Sequence, residues 1–369
     1  MIEKKKGLNE MILWTFIVFS GFYINLFKIK PVYITSMIGV LGYIFFELKN
    51  FKKTRLDRLS KLSLIWAAYM SFSFLFIKGD IGTTLNSIMS VVVYFVGVQY
   101  LYDKDNDYIL KISKDFINIS IVILIIEFII RFCNPNLTQP SFYKYKFNSI
   151  MYEDSNYVGI FIICLFFYSL YLSKYKKQNY KYQQIILFLL CILTISRAAI
   201  ISTIVTIIGI KMLELFLKAT ENFTNKQRKS IILLLIFVSL LVGMIGMNFL
   251  LKDGSFRSKF YIADLAFQQL RTSNFQQLIF GIGFGRTSEY IGIGAHNILI
   301  AYLLESGIVG ILFFIIFTIQ IALETKGRSL IVTIPFLIAG MSLAGFTLPF
   351  LYLIYAMIYT FEMREKATI

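Results

Sequence analysis

Residues 296–323 read HNILIAYLLESGIVGILFFIIFTIQIAL, a histidine and an asparagine followed by an apolar run whose single carboxylate is Glu305. A helix rising 1.5 Å per residue over that length is longer than a ~30 Å hydrocarbon core, so the stretch reads as a membrane span. The same reading recurs in both directions along the chain, at 9–27, 31–48, 61–78, 81–102, 114–132, 156–173, 183–196, 198–217, 231–250, 329–344 and 347–363. Two apolar runs are too long for one span each, and Arg197 in one and the Gly345–Pro349 region in the other mark the expected turns.

Composition agrees with that count. Hydrophobic residues make up 57% of the chain and aromatics 17%, with a mean hydropathy of +0.70, against roughly 45–50% apolar usage in soluble domains. The expected fold is therefore all-α: a polytopic integral membrane protein in which residues 1–369 form a single membrane domain of about twelve transmembrane helices. Lys4-Lys5-Lys6 and the apolar residues after them lack a small-residue cleavage site, which makes the start an uncleaved first span.

The net charge of +16 could suggest a nucleic-acid partner, but the cations fall in short connections between apolar runs. Lys49, Lys52, Lys53, Arg55, Arg58 and Lys61 form one such cluster; Lys174, Lys176, Lys177 and Lys181 form another. Lys218, Lys226, Arg228 and Lys229, then Lys326 and Arg328, complete the series. With both termini cytoplasmic these all lie inside, as the positive-inside rule asks, and no nucleic acid is needed to explain them. Lys28 and Lys30 fall outside, and the acidic stretch Asp103 to Asp107 inside, as minor exceptions. This orientation leaves two sizeable outer segments, 133–155 and 251–295, and loop chemistry belongs there. Cys133, Cys164 and Cys191 are odd in number and have no ligand spacing, so they read as packing residues rather than a disulfide or metal set.

The second outer segment carries the most information. Within it, Phe256, Phe260, Ala263, Phe267 and Leu270 repeat at the spacing of an interfacial amphipathic helix, with Arg257, Asp264 and Arg271 as a polar stripe alongside. Next come Gly281, Gly283 and Gly285, beside Arg286. No strand precedes them and the dinucleotide pattern is incomplete, so they read as a tight loop offering backbone N–H groups to an anion. His296, the sole histidine, stands at the mouth of the span quoted above, where an imidazole with an ordinary pKa near ~6.5 is placed to accept a hydroxyl proton. Counted along a continuous helix, Gly307 shares its face and Glu305 the opposite one.

Three further positions matter. Arg197 interrupts an apolar run, and an unpaired guanidinium at depth costs several kcal/mol, so it either marks a turn or meets an anion. A bidentate fork suits phosphate oxygens. Glu127 and Arg131, four apart, read as a structural pair. Glu153-Asp154-Ser155-Asn156 reads as a helix cap.

Ser196-Arg197-Ala198, Arg257, Gly281-x-Gly-x-Gly285 and His296-Asn297 with Gly307 and Gly310 together resemble the O-antigen polymerase and O-antigen ligase superfamily, and Asp154-Ser155-Asn156-Tyr157 adds to the likeness. The resemblance covers roughly residues 150–315. It implies a GT-C-like helical glycosyltransferase with a large outer loop, in a bacterial cytoplasmic (inner) membrane, with no metal and no cofactor. The implied substrate is an undecaprenyl-diphosphate-linked oligosaccharide, with membrane lipids and a chain-length regulator as candidate partners. Carried over by residue, the resemblance makes Arg197 and Arg257 the holders of the diphosphate and His296 the base or acceptor-orienting group. Arg286, Arg271, Asn297, Gly283 and Gly285 become substrate-binding candidates, and Gly307 and Gly310 structural ones. The expected activity is a repeat-unit polymerase acting at the outer face. A ligase differs only in its acceptor, and a lipid-linked oligosaccharide flippase would need charge deep in many spans.

Overall fold

The computed structural model of the chain describes residues 2–24, 30–46, 56–139, 141–221, 223–224, 226–227, 230–231, 254–342 and 348–367. Among these the protein is helical apart from one short hairpin. Its helices are α1 (Ile2–Val18), α2 (Pro31–Phe46), α3 (Arg58–Phe76), α4 (Ile81–Tyr102), α5 (Asn106–Cys133), α6 (Ser155–Lys176), α7 (Lys181–Leu193), α8 (Arg197–Ala219), α9 (Gly254–Thr272), α10 (Phe275–Phe280), α11 (Thr287–Ile291), α12 (Ile298–Glu324), α13 (Leu330–Gly340) and α14 (Pro349–Ala367). Six of them, α3, α4, α5, α6, α8 and α12, are long and apolar enough to cross a membrane, and four shorter apolar helices lie within α1, α2, α7 and α13. The expected span 231–250 lies outside the described residues from 232 onward.

Short polar side chains set where these helices begin. Asp57, Asp80, Asp105, Ser196 and Asn297 each accept a first-turn N–H, capping α3, α4, α5, α8 and α12 in turn. The Asp105 cap starts α5 well before the apolar run at 114, because Ile109, Ile112 and Phe116 already face the core. At the other extreme α1 stops at Val18, short of the expected 27, and α13 stops at Gly340.

Helix ends meet in two groups. At one end, Asp80 N–H donates to the Phe284 carbonyl (2.8 Å), Ser155 Oγ donates to the Thr194 carbonyl (2.6 Å), and Gly340 packs against Ile298. This end gathers the α3–α4, α5–α6 and α7–α8 connections, the starts of α12 and α14, and the segment with α9 to α11. At the opposite end Glu362 of α14, 2% exposed, receives the Tyr171 hydroxyl (2.6 Å), Arg328 Nη1 (2.7 Å) and Lys176 Nζ (3.2 Å). The sequence reading had Lys176 and Arg328 only as loop cations.

Between these ends lies an aromatic core. Trp66 sits among Tyr302, Phe314, Phe317 and Tyr352 with ring centroids 5.7 to 6.3 Å apart. Gly97 lets Leu353 and Ala356 of α14 approach α4 closely, the small-residue contact expected where lipid supplies no hydrophobic drive between helices.

A candidate functional site at the His296 end

The 133–155 connection rests on a buried ion pair. Glu127 and Arg131 are 1% and 2% exposed, with Arg131 Nε 2.8 Å from Glu127 Oε1, which makes them the structural pair the spacing suggests. The guanidinium continues outward: Nη1 donates to the Tyr145 carbonyl and Nη2 to that of Leu193 (3.2 Å). One side chain thus ties α5 to the connection above it and to the end of α7. Above lie a 3-10 turn, Ser141–Tyr145, and the hairpin β1 (Phe147–Ser149) and β2 (Glu153–Asp154). Asp154 then caps α6, its two oxygens taking the Asn156 backbone N–H (2.9 Å) and side-chain amide (3.0 Å).

Arg197 does mark a turn. It is the first residue of α8, after Ile195 at φ 58, a left-handed conformation that a β-branched side chain rarely adopts. Buried Thr194 and Ser196 and the Arg131 bond to Leu193 hold that turn, and strained backbone of this kind concentrates at functional sites. The Arg197 side chain is exposed and donates to the Tyr143 hydroxyl of the 3-10 turn.

The segment before α12 contains α9, α10 and α11. The amphipathic helix is present as α9, but it has two apolar faces. Phe260 and Phe267, 45% and 60% exposed, lie on the outward side with Arg257, Asp264 and Arg271, while Ile262 and Ala266, both 3% exposed, pack inward against Ile282, Ile291 and Leu304. The inward face was missed because Ile262 and Ala266 fall between the aromatic positions that dominated the pattern.

The glycine loop is a backbone clasp. Gly281, Gly283 and Gly285 have φ of 83, 96 and 76, accessible to glycine without steric cost. A Cβ on Gly281 would stand 2.3 Å from the Glu305 carbonyl oxygen, and one on Gly307 would stand 2.2 Å from that of Ile279. The N–H groups of Ile282 and Gly283 donate to the carbonyls of Leu304 (2.8 Å) and Glu305 (3.2 Å), and the Tyr69 hydroxyl reaches the carbonyls of Ile279 (3.0 Å) and Ser306 (2.7 Å). Phe284 meanwhile lies on Gly79 of the α3–α4 turn.

This arrangement changes three expectations. Gly307, at φ 67 and ψ −173, interrupts α12, so the helical count that put it on the His296 face fails; the backbone it admits is that of 279–281. Gly310 makes room for the Ser306 side chain, a structural role as expected. The loop's donors face inward, while Glu305, 7% exposed, meets another helix, accepting the Thr287 hydroxyl of α11 at 2.6 Å. Arg286 is engaged by Glu289 (2.7 Å) and the Lys78 carbonyl (3.1 Å), with the Tyr290 ring 5.1 Å away, which favours strapping α11 to the α3–α4 turn over holding phosphate. Glu289 holds the guanidinium above its usual range, so Arg286 stays charged.

His296 lies just before α12, exposed, with its ring above Gly294. Asn297 is the cap: its Oδ1 accepts the N–H groups of Leu299 (2.9 Å) and Ile300 (3.2 Å), and its Nδ2 points to Met341 Sδ at 3.6 Å. Lys259 of α9 donates to Ser342 next door. The start of α12, the end of α13 and the first half of α9 therefore share one corner.

Arg197 lies at the same end of the bundle by register. Ser202 Oγ donates to the Pro335 carbonyl at 2.6 Å, and α8 and α13 enter this contact from opposite ends. Five residues back along α8 and five forward along α13 travel the same distance in one direction, bringing Arg197 level with Gly340. Gly340 packs on Ile298, two residues after His296. Among the described residues no group of three metal-ligating side chains occurs. No sequence-family model and no curated protein matches the chain.

Proposed function

We propose that the chain is a metal-independent glycosyltransferase of the polymerase type, moving a growing glycan from an undecaprenyl-diphosphate-type carrier onto a second lipid-linked repeat unit at the outer face of a twelve-span membrane domain. The observation that supports this reading is that Arg197, His296 and the first half of α9, which carries Arg257 on its outward face, lie at one end of an apolar bundle, so cations and an imidazole share that end. The aromatic, outward face of α9 beside its arginines fits a site fed from the membrane surface.

In this reaction the acceptor hydroxyl oxygen forms a bond to the donor's anomeric carbon while the bond from that carbon to the diphosphate oxygen breaks. The electron pair leaves with the diphosphate, where guanidinium charge stabilises it, and the hydroxyl proton passes to His296. One direct displacement inverts the anomeric centre.

The test is chain formation by purified protein supplied with lipid-linked repeats. His296→Ala is expected to lower turnover about 100-fold or more, and Arg257→Ala to lower it with the protein still folded. Turnover at the parental rate in both variants would remove the proposal. Transfer of single repeats to a different final acceptor, without elongation, would replace polymerase by ligase.

A further inference from the structure

The 133–155 connection brings two more groups to Arg197. Tyr143, in the 3-10 turn, accepts from the Arg197 guanidinium, whose central carbon lies 5.9 Å from the Tyr143 ring centroid. Lys146 Nζ lies 5.9 Å from the same centroid. The two cations are thus separated by no more than twice that distance, around one phenol, although they come from segments fifty residues apart in sequence. Each cation is held by the electron-rich face of the shared ring, and an anion lying between them would relieve their mutual repulsion.

The surroundings fix both partners. Arg131 and Glu127 anchor the Tyr145 carbonyl from below, and the Lys146 carbonyl accepts the Ser155 N–H at the start of α6. Asp154, the neighbouring carboxylate, has both oxygens committed to Asn156. Among the described residues Lys146 has no ion pair; it lies near the Phe147 ring as well. The N-terminus of α8, capped by Ser196, adds its positive dipole end beneath Arg197.

We infer that Lys146 and Tyr143 complete with Arg197 a two-cation seat for a diphosphate monoester. Arg197 supplies a fork for one phosphoryl group, Lys146 a point charge for the other, and the Tyr143 hydroxyl a neutral donor between them. This assignment rests on the proposed function for the lipid attached to the diphosphate, but the seat itself is a statement about anion binding.

The experiment measures binding of geranylgeranyl diphosphate, geranylgeranyl monophosphate and geranylgeraniol to the full chain in nanodiscs by calorimetry, at several salt concentrations. The expected result is a preference for the diphosphate that Lys146→Ala weakens about tenfold with a shallower salt dependence, that Lys146→Arg restores, and that Tyr143→Phe weakens a few-fold. Lys144→Ala, the neighbouring cation, is expected to bind as the parent does. Parental diphosphate affinity in Lys146→Ala, with affinity lost in Arg197→Ala, overturns the seat and leaves the proposed function standing. No preference for diphosphate over geranylgeraniol in the parent overturns both. His296→Ala, expected to bind normally and turn over poorly, separates binding from chemistry.

Discussion

Gly281 and Gly307 cross backbone to backbone, each at positive φ with an extended ψ of −173 and each within 2.3 Å of a carbonyl oxygen once a Cβ is added. Alanine at either position therefore meets two penalties, about 1–3 kcal/mol for the conformation and about 1–3 kcal/mol for the displaced neighbour. Gly292 has φ 73 but open space around it, so Gly292→Ala meets only the first. Thermal unfolding in detergent is expected to rank Gly281→Ala and Gly307→Ala well below Gly292→Ala, and equal values would contradict the clasp. The glycine spacing announced backbone freedom in the sequence. What it could not announce is the partner, because the crossing joins residues that a helical count treats as unrelated. Arg286 shows the same limit: Glu289 is readable three residues away, whereas the Lys78 carbonyl comes from another helix pair.

At the level of elements, Arg131 is the joint between α5, the 133–155 connection and the α7–α8 turn. Removing one partner of a buried pair leaves the other's charge uncompensated, at a cost of about 3–5 kcal/mol. Arg131→Ala is expected to show that loss in thermal unfolding, and Glu127→Gln combined with Arg131→Met to recover part of it. A double variant no better than Arg131→Ala alone would show that the carbonyl bonds, not the charge balance, hold the joint. The pairing was legible from the spacing of four, but its reach to Tyr145 and Leu193 was not, since backbone acceptors carry no sequence signature. In α9 the amphipathic period was legible, while the second, inward apolar face depends on the small Ala266 and on which neighbours pack there.

For the whole molecule, hydropathy and caps located most helices to within a few residues, because apolar length is a one-dimensional property. The bundle's arrangement came from elsewhere: the Ser202 bond to Pro335, the Gly340 contact with Ile298 and the Glu362 cluster are all long-range in sequence. The central claim is that Arg257 and His296 work on one outward-facing side, opposite the Lys326 connection. Single cysteines placed at 257, 296 and 326, in a chain whose exposed Cys133 is replaced by serine, can be reacted with a membrane-impermeant maleimide on intact cells. The account predicts labelling at 257 and 296 before lysis and at 326 only after it. Labelling of 257 and 296 from opposite sides, or of both only after lysis, would contradict it.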